Sequence, residues 1–261
     1  MNRAAAKLRT SAIVGEDIDT RDKLKCHARR LFGERGIDNV AVRDILAAAG
    51  QRNVGAIGYY FGSKDELLRE ITIEGAALID RLRNSLLDQL ESQRGSKITV
   101  RDLISVIVQS TIQARDEHDE HTYVRFFATV HQHNHALFVE LLGHGLDEGF
   151  RRCITHLRRL LPHHPHEVLN ERIRLLMLLM GAALSLRETA LEHANPRHLS
   201  TMESSDNWGS ENVLEHLIDA CEGILCQPMS IETGTRIRKA SRVSNKAALA
   251  PKVKRSRPSL K

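Results

Sequence analysis

The fold is decided by three consecutive pieces of sequence, Val42-Arg-Asp-Ile-Leu-Ala-Ala-Ala-Gly50, Gln51-Arg-Asn-Val-Gly-Ala-Ile-Gly-Tyr-Tyr-Phe-Gly62 and Ser63-Lys-Asp-Glu-Leu-Leu68. Apolar residues recur at helical spacing in the first piece, and Gly50 can adopt the left-handed conformation that ends a helix. Asn53 is a favourable N-cap for a second short helix, and Ser63 and Glu66 form a capping box for a third. The stretch therefore predicts two short helices joined by a tight turn, with a third helix directly behind them.

The second short helix is expected to keep one face free. Ala56, Ile57 and Tyr60 recur on its inward side, which leaves a separate set of residues facing outward. The outward residues are Arg52, Val54, Gly55, Gly58 and Tyr59. Two short helices joined in this way are what a helix-turn-helix needs, because the second must project far enough to enter a DNA major groove about 12 Å wide.

The same stretch resembles the TetR family of bacterial transcriptional repressors. The residues that carry the resemblance are Phe32, Glu34, Arg35, Gly36, Val42, Ile45, Ala48, Ala49, Gly50, Tyr60, Phe61, Gly62, Ser63, Lys64, Glu66 and Leu67. Between Gly50 and Phe61 the chain has one residue more than most members, which leaves the start of the second helix open, and its Gln-Arg-Asn turn resembles that of a variant subgroup. Ala41 stands where the family usually has a Ser or Thr N-cap, so this helix start is expected to be weaker by about 1 kcal/mol.

The resemblance implies a DNA-contacting surface. Its residues are Arg43, Arg52, Asn53, Val54, Gly55, Gly58, Tyr59 and Lys64. Arg52 and Asn53 can reach base edges or phosphates, and the two glycines allow close backbone approach. Lys64 adds a charge to a helix N-terminus whose free amides already attract a phosphate.

Four further side chains of this region need an interpretation. Arg21 and Arg43 lie at helix N-termini, where a phosphate contact and a salt bridge to a neighbouring aspartate are both open. The aspartates in reach are Asp22, Asp44 and Asp65. Tyr60 and Phe61 are interpreted as packing residues rather than DNA contacts, because their apolar area fits the inward side.

The composition is that of an ordinary globular protein without a membrane span. The chain has 261 residues, of which 41% are apolar and 4% aromatic. The longest apolar run is bracketed by Arg174 and Arg187 and is too short to cross a bilayer. The four cysteines show no Cys-x-x-Cys spacing, and the start of the sequence lacks the apolar core of a secretory signal. We therefore expect a cytoplasmic protein with reduced thiols and no membrane partner.

Charge is distributed unevenly along the chain. Residues 20–70 hold ten basic and seven acidic side chains, and residues 236–261 hold ten basic and no acidic ones. Because the whole chain carries +5 and residues 1–19 are balanced, the segment 71–235 carries −8. A basic helix-turn-helix on an acidic body orients a protein end-on toward DNA.

Helical periodicity continues over the rest of the chain, and no alternating strand pattern interrupts it. Helices are predicted over residues 20–35, 63–92, 99–116, 123–131, 135–161, 167–193 and 211–225. We therefore predict an all-α protein in which residues 19–68 form the helix-turn-helix domain and residues 69–228 form a larger helical bundle. Residues 1–18 are predicted to be a flexible arm, and residues 229–261 a disordered basic tail.

Two interpretations of the basic tail are open. As a nonspecific electrostatic anchor it would add phosphate contacts and steepen the salt dependence of DNA binding. As a solvated tail it would have no such role. The first interpretation, taken to its limit, gives an alternative function: a nonspecific DNA-binding protein driven by the tail.

A second alternative arises from the 14 histidines, which suggest a His-dependent metal sensor or metalloenzyme. His131 and His135 share a helical face only if no turn intervenes, and the His163-His-Pro-His166 cluster lies in a predicted loop. No cysteine or carboxylate falls at familiar zinc spacing, and no nucleophile elbow or phosphate loop is present. We therefore expect no metal site, no cofactor and no enzymatic activity.

The resemblance also implies a small-molecule effector site and a homodimer interface in the bundle. Candidates for lining the effector site are Phe126, Phe127, His131 and Met177, with simple core packing as the alternative. Gly181-Ala-Ala183 would let another helix approach closely, so the last two helices are expected either to pair with their symmetry mates or to pack within one chain. The sequence thus favours a ligand-responsive regulator, most simply a repressor, that binds a palindromic double-stranded DNA operator and is released by a small molecule.

Overall fold

The computed structural model describes residues 20–114, 122–133, 137, 140, 145–193 and 210–236. Within these ranges every regular element is helical and none is a strand, which confirms the all-α prediction. Met1–Leu225 form one compact unit and Cys226–Lys261 a second, of which the structure describes residues 226–236. The predicted arm at residues 1–18 and the tail beyond residue 236 lie outside the described residues.

Three helices build the first part of the chain. Helix α1 covers residues 20–35, α2 covers Val42–Ala48 and α3 covers Ala56–Phe61. The buried side of α1 holds Leu24, Ala28, Leu31 and Phe32, as its spacing predicts. Gly36 ends α1 with a φ of 83°, a conformation that only glycine adopts without steric cost.

Helix α4, Lys64–Arg94, runs from this part of the chain into the bundle. Its 31 residues confirm the long helix that the sequence predicts from residue 63. The Ser63 hydroxyl accepts a hydrogen bond from the Glu66 N–H at 3.1 Å, so the serine half of the predicted capping box is present. A short 3-10 turn, Gly95–Lys97, follows the helix.

Helices α5 and α6 come next. Helix α5, Val100–Ile112, begins with a reciprocal capping box between Thr99 and Asp102, and it ends four residues earlier than predicted. Helix α6, Tyr123–His133, extends the predicted helix by two residues. It buries four residues, Tyr123, Val124, Phe126 and Val130.

A single helix over residues 135–161 is predicted from the sequence, and this prediction is wrong. Residues 145–147 form a turn in which Gly145 has a φ of 76°, and helix α7 covers Glu148–Leu160. A left-handed residue stops a right-handed helix, because the backbone hydrogen bonds can no longer continue. Apolar residues recur on both sides of this glycine, so their period alone does not reveal the turn.

The next two helices match their predictions to within one residue. Helix α8 covers His166–His193 and α9 covers Glu211–Cys226. One side of α8 is buried through Leu176, Met180 and Leu184. The opposite side carries large apolar side chains that are exposed in one chain: Leu175, Leu178, Leu179 and Leu186.

In the second unit, part of the predicted disordered tail needs correction. Residues 231–236 are helical, within the range 229–261 that the sequence analysis assigned to the tail. The Ser230 hydroxyl accepts a hydrogen bond from the Thr233 N–H at 3.2 Å, which caps this short helix. Ile231 is 82% exposed, so this short helix is stabilised by its N-cap and not by burial of Ile231.

The apolar core of the helix-turn-helix extends beyond residues 19–68. Phe126 and Val130 of α6 are fully buried in the same cluster as Phe32 and Leu67. Gly33 of α1 lies so close to α6 that a Cβ atom there would stand 3.1 Å from the Phe126 backbone nitrogen. Helix α6 therefore shares the core of the first three helices, although it belongs to the predicted bundle in sequence.

Candidate nucleic-acid interface

The turn between α2 and α3 is built by backbone hydrogen bonds around Gly50, whose φ is 66°. The Gly50 N–H donates to the Ala47 carbonyl at 3.1 Å, and the Gln51 N–H donates to the Leu46 carbonyl at 2.8 Å. This pairing satisfies the last carbonyls of α2 while the chain reverses. The glycine thus sets the direction in which the chain leaves α2 toward α3.

Helix α3 begins two residues later than the predicted cap implies. Asn53 is the predicted N-cap, whereas the helix begins at Ala56 with Gly55 as its N-cap. The Asn53 Oδ1 accepts a hydrogen bond from the Gly55 N–H at 2.9 Å, which makes an Asx turn ahead of the helix. The prediction of the cap is corrected because an asparagine side chain bonds the N–H two residues ahead in either arrangement, and the sequence does not distinguish them.

The residues predicted to face outward from α3 and from the turn before it are exposed in the structure. The exposed residues are Arg52, Asn53, Val54, Gly55, Gly58 and Tyr59. Val54 is 85% and Tyr59 is 75% exposed, whereas Ala56 and Ile57 on the other side are each 2% exposed. The position of these side chains agrees with the sequence analysis, and their contacts with DNA stay a prediction.

The exposed side of α3 is uncharged. Its sequence, Ala-Ile-Gly-Tyr-Tyr-Phe over Ala56–Phe61, has no ionisable group apart from the tyrosine phenols. The Tyr59 ring packs edge-on against the Tyr60 ring with 4.8 Å between centroids, so it has a defined position on this side. A Cβ atom at Gly58 would meet nothing within 4 Å, so this glycine leaves open space.

The two arginines with open interpretations differ in their availability. The Arg43 side chain is 90% exposed, with the Asp44 carboxylate 3.8 Å from its Nε. Arg21 donates to the Glu70 carboxylate at 2.6 Å, and its guanidinium lies 4.9 Å from the centroid of the Phe61 ring. For Arg21 the structure favours the salt bridge, although the partner is Glu70 and not one of the predicted aspartates.

Lys64 has a structural contact that the sequence analysis did not predict. Its Nζ donates to the Ile37 carbonyl at 2.6 Å and lies 5.7 Å from the centroid of the Phe32 ring. The side chain therefore ties the start of α4 to the end of α1 and the connection that follows it. A phosphate contact by Lys64 stays a prediction, and the ammonium would make it from this fixed position.

A buried joint, missed by the sequence analysis, connects this interface with the bundle. Glu188 of α8 is 6% exposed and accepts hydrogen bonds from the N–H groups of Val124 and Arg125, both at 2.9 Å. It caps the free amides at the start of α6 from another helix. Arg29 of α1 reaches the same helix start, because its Nε donates to the Thr122 hydroxyl at 2.9 Å.

Glycine allows the helices of this joint to meet closely. A Cβ atom at Gly75 of α4 would stand 2.7 Å from the Tyr123 ring and 2.9 Å from the Phe127 ring. We call this contact the α6 joint; it comprises Arg29, Gly33, Gly75, Thr122, Tyr123, Phe127 and Glu188. A glycine inside a helix costs roughly 1 kcal/mol relative to alanine, so Gly33 and Gly75 are the sequence signal that could have located it.

The four predicted effector-site residues do not meet at a described cavity. Phe126 is fully buried, with its ring centroid 6.4 Å from that of Phe32, so it packs in the core of the single chain, and its contact with an effector stays a prediction. Phe127 and His131 are half-buried on α6, and Met177 is half-buried on α8. For these three residues, contact with an effector stays a prediction.

Two open depressions of about 330 and 680 Å³ lie on the surface of α7, the larger one between α7 and α4, and Glu148 and Arg152 line both. Arg152 donates to Asn84 and Asp88 at 2.7 Å and to Glu91 at 2.9 Å. The hydrogen bond from His156 to Glu91, 2.8 Å long, and the charge of Arg152 hold the pKa of the Glu91 carboxyl below its usual value. These side chains satisfy one another, so they fasten α7 to α4.

Other kinds of site find no support in the residues that the structure describes. Within those ranges no group of three or more His, Cys, Asp or Glu side chains is arranged to hold a metal ion. The same ranges contain no helix long and apolar enough to span a membrane. Burial raises the pKa of the Cys153 and Cys221 thiols to about 11, so neither is a nucleophile at neutral pH.

Two family models match the chain. The model for bacterial regulatory proteins of the tetR family matches residues 27–71, and the model for the tetracyclin repressor-like C-terminal domain matches residues 105–223. Together they cover more than half of the chain. The first match includes the whole exposed side of α3 and the turn before it.

Solved structures give a weaker likeness. A protein from Shewanella sp. PV-4, described as a tetR family transcription regulator, is 14% identical over 79% of this chain and 95% of its own, with a TM-score of 0.46. The superantigen pfit is 20% identical over 80% of this chain and 89% of its own, with a TM-score of 0.41. A transcriptional regulator from Rhodococcus sp. Rha1 is 21% identical over 79% of this chain and 96% of its own, with a TM-score of 0.38. No curated protein matches the chain significantly.

Proposed function

The chain belongs to the TetR family of bacterial regulatory proteins, and from this premise we propose that it is a ligand-responsive repressor that binds a palindromic DNA operator as a homodimer. The observation that carries the proposal is the exposed, uncharged side of α3, which follows directly after the Gly50 turn. Regulators of this family are generally not enzymes, and we expect neither enzymatic activity nor a location outside the cytoplasm.

The dimensions and chemistry of α3 suit a major groove. An α-helix with its side chains is about 10–12 Å across, which fits a groove about 12 Å wide, and six residues at about 1.5 Å each make a helix roughly 9 Å long. Val54 and Tyr59 offer apolar contact to thymine methyl groups, and Gly55 and Gly58 let the backbone approach base edges. Arg52, in the turn before the helix, supplies a positive charge, with Asn53 beside it.

Phosphate contacts would surround this helix. Arg43 is the best candidate, because its side chain is 90% exposed and its ion pair with Asp44 is long, at 3.8 Å. Lys64 would act from the position fixed by its hydrogen bond to Ile37. Such contacts orient a protein on the duplex without reading its sequence, and the exposed side of α3 is left to specify the operator.

Homodimer formation is supported by the exposed apolar side of α8. Leu175 is 57%, Leu178 50% and Leu186 52% exposed, and they recur at helical spacing along one side of the helix. A Cβ atom at Gly181 would meet nothing within 4 Å in a single chain, so a second helix has room to approach there. A two-fold dimer would place two copies of α3 about one turn of DNA apart, roughly 34 to 36 Å.

Release by an effector would use the α6 joint. Helix α6 shares its core with α1, while Glu188 of α8 holds its first turn. A ligand that prefers one arrangement of the bundle would shift α6, and with it α1 and the spacing of the two α3 helices. Phe126, Phe127, His131 and Met177 remain candidates for contact with that ligand.

The first experiment is binding of the purified full-length protein to its own upstream intergenic DNA and to a scrambled duplex across a salt series. We expect a preference of roughly a thousandfold that persists at about 0.2 M salt. Equal binding to both duplexes that disappears with salt would overturn the proposal, and it would favour nonspecific binding through the basic tail.

A pair of variants locates the reading surface. Replacing Arg52 and Asn53 together by alanine is expected to weaken binding to the preferred duplex at least about tenfold and to leave the melting temperature nearly unchanged. Arg81→Ala is the matched control, because Arg81 is an exposed arginine in the middle of α4. Equal losses in both proteins would show that net charge, and not this surface, governs binding.

A further inference from the structure

The exposed side of α3 and the turn before it offer hydrogen-bond donors but few acceptors. Residues 50–63 contain no Asp or Glu. The backbone carbonyls of Asn53, Gly55 and Gly58 already accept hydrogen bonds of 2.9 to 3.1 Å from within the turn and the helix. Arg52 is exposed, and its guanidinium carries donors only. An acceptor for a base edge would therefore have to come from another side chain.

The side-chain oxygen of Asn53 is already engaged. Its Oδ1 accepts the Gly55 N–H at 2.9 Å, so the NH2 group is the end of the amide left for a partner. Asparagine reads adenine through a bidentate contact in which the oxygen accepts from the N6 amino group and the NH2 group donates to N7. The Asx turn takes the oxygen out of this contact. Asn53 is therefore left to donate to acceptors of the bases, which are N7 and O6 of guanine, N7 of adenine and O4 of thymine.

Two apolar side chains lie beside these donors. Val54 is 85% and Tyr59 is 75% exposed, and the Tyr59 ring is held edge-on against Tyr60. The C5-methyl of thymine is the apolar group that base edges present in the major groove. These two side chains therefore suit thymine better than any other base.

Two glycines let the short valine side chain reach a base. Gly55 follows Val54 directly, and Gly58 lies one turn further along the chain. A Cβ atom at Gly58 would meet no described residue within 4 Å, and one at Gly55 would stand 3.3 Å from the Asn53 Oδ1. The backbone can therefore come closer to the base edges here than it could with a side chain at both positions.

We propose that this surface reads the acceptors and the methyl groups of the major groove and leaves its amino groups unread. The inference rests on the proposed function, because it names the chemical class of operator that the protein selects. Arg52 and Asn53 would donate to N7 and O6 of guanine, and Val54 and Tyr59 would contact thymine methyl groups. Guanine and thymine then specify each half-site, and cytosine and adenine follow through base pairing.

The test replaces one type of base at a time in the upstream intergenic duplex and measures its affinity for the full-length protein. Uracil for thymine removes the C5-methyl, 7-deazaguanine for guanine removes the N7 acceptor, and purine for adenine removes the N6 amino group. Inosine for guanine is the control, because it removes an amino group of the minor groove and leaves the major-groove edge intact. Each affinity is compared with that of a scrambled duplex carrying the same replacement.

The three replacements should have different effects. We expect uracil to weaken binding about threefold for each contacted methyl group. We expect 7-deazaguanine to weaken it at least about tenfold, and purine to change it less than about twofold. Unchanged binding of either the uracil or the 7-deazaguanine duplex would overturn the inference. A loss with purine as large as that with 7-deazaguanine would overturn it too.

Two double variants assign the contacts. In Val54→Ala with Tyr59→Ala, the penalty for uracil should disappear while the penalty for 7-deazaguanine remains. In Arg52→Ala with Asn53→Ala, the reverse should hold. All four side chains are exposed, so the Tm of both variants should stay close to that of the wild type. Equal sensitivity of the two variants to both replacements would overturn the inference.

Tyr59→Phe separates the ring of Tyr59 from its hydroxyl, which can accept as well as donate. If the ring contacts a thymine methyl group, the variant should retain the uracil penalty. Loss of that penalty in Tyr59→Phe would mean that the hydroxyl does the reading, which contradicts the inference.

The scrambled duplex separates this inference from the proposed function. If the wild type prefers the unmodified upstream duplex but is insensitive to uracil and 7-deazaguanine, the inference fails and the proposed function stands. Equal binding to the unmodified upstream and scrambled duplexes would overturn both.

Discussion

Gly58 of α3 and Gly75 of α4 are both glycines within helices, but their surroundings are opposite. A Cβ atom at Gly58 would meet nothing within 4 Å, whereas one at Gly75 would stand 2.7 Å from the Tyr123 ring. The first glycine leaves space for a partner outside the chain, and the second leaves space for a helix of the same chain. We call residues 50–63 the recognition end. There the missing side chain of Gly58 leaves the α3 backbone exposed, whereas in the α6 joint the missing side chain of Gly75 permits close packing.

The two regions also differ in the reach of their contacts. The recognition end is shaped by local hydrogen bonds, such as that from the Gly55 N–H to Asn53, two residues away. The α6 joint is shaped by contacts between distant residues, such as Arg29 with Thr122, 93 residues apart. A substitution at the recognition end should consequently change DNA binding at nearly constant stability, and one at the joint should do the reverse.

The largest expected effect is that of Glu188→Ala at the joint. The substitution leaves the Val124 and Arg125 N–H groups without their acceptor in a buried place, so we expect a loss of about 3 kcal/mol in the free energy of unfolding. Urea denaturation measures it. Glu192→Ala is the control, because its side chain is 39% exposed and its ion pair with Arg125 should be worth less than about 1 kcal/mol. Equal losses would refute the capping role of Glu188.

Gly75→Val should destabilise the same joint by about 2 kcal/mol. The added side chain overlaps the Tyr123 and Phe127 rings, and overpacking a tight helix contact typically costs 1 to 3 kcal/mol. Gly75→Ala should lose less, because the helix propensity of alanine offsets part of the overlap. The measurement is again urea denaturation, and an unchanged midpoint for the valine variant would mean that α6 moves aside freely.

Gly58→Ala should give the opposite result. Alanine favours the helix over glycine, so the free energy of unfolding should rise by up to about 1 kcal/mol. The same methyl group holds the α3 backbone away from the bases, so affinity for the preferred duplex should fall about tenfold. A stabilised protein with undiminished affinity would exclude close approach of this helix to DNA.

The smallest expected effect is the pH dependence of an exposed carboxylate at the α4 and α7 contact. The pKa of Glu91 is held below its ordinary value of 4.5, chiefly by the hydrogen bond from His156. Its stabilising effect is therefore complete above pH 4.5 and is lost as the pH falls through the lowered pKa. Solvent screening limits it to less than about 1 kcal/mol. Unfolding followed between pH 6 and 3 should show a flatter acid limb for Glu91→Gln than for the wild type.

Several features of the recognition end could be predicted because their causes are local. The left-handed Gly50, the Ser63 cap and the burial of Ala56 and Ile57 follow from residue type and spacing, and the structure agrees with each. The error over Asn53 has a local cause too, since one side-chain hydrogen bond serves two kinds of turn. The turn at Gly145 was missed because apolar residues recur on both sides of it.

The sequence by itself determined that the chain is helical, where the second helix of its helix-turn-helix lies and which of that helix's residues face outward. These properties depend on hydrogen bonds and periodicity within a few residues. Only the tertiary structure decided that Phe126 is core, that Lys64 bonds Ile37, that Glu188 caps α6 and that Arg83 is buried beside Ser110 and Phe150. Each of these depends on which distant residues come together, and a pattern of residue types along one helix does not contain its partner.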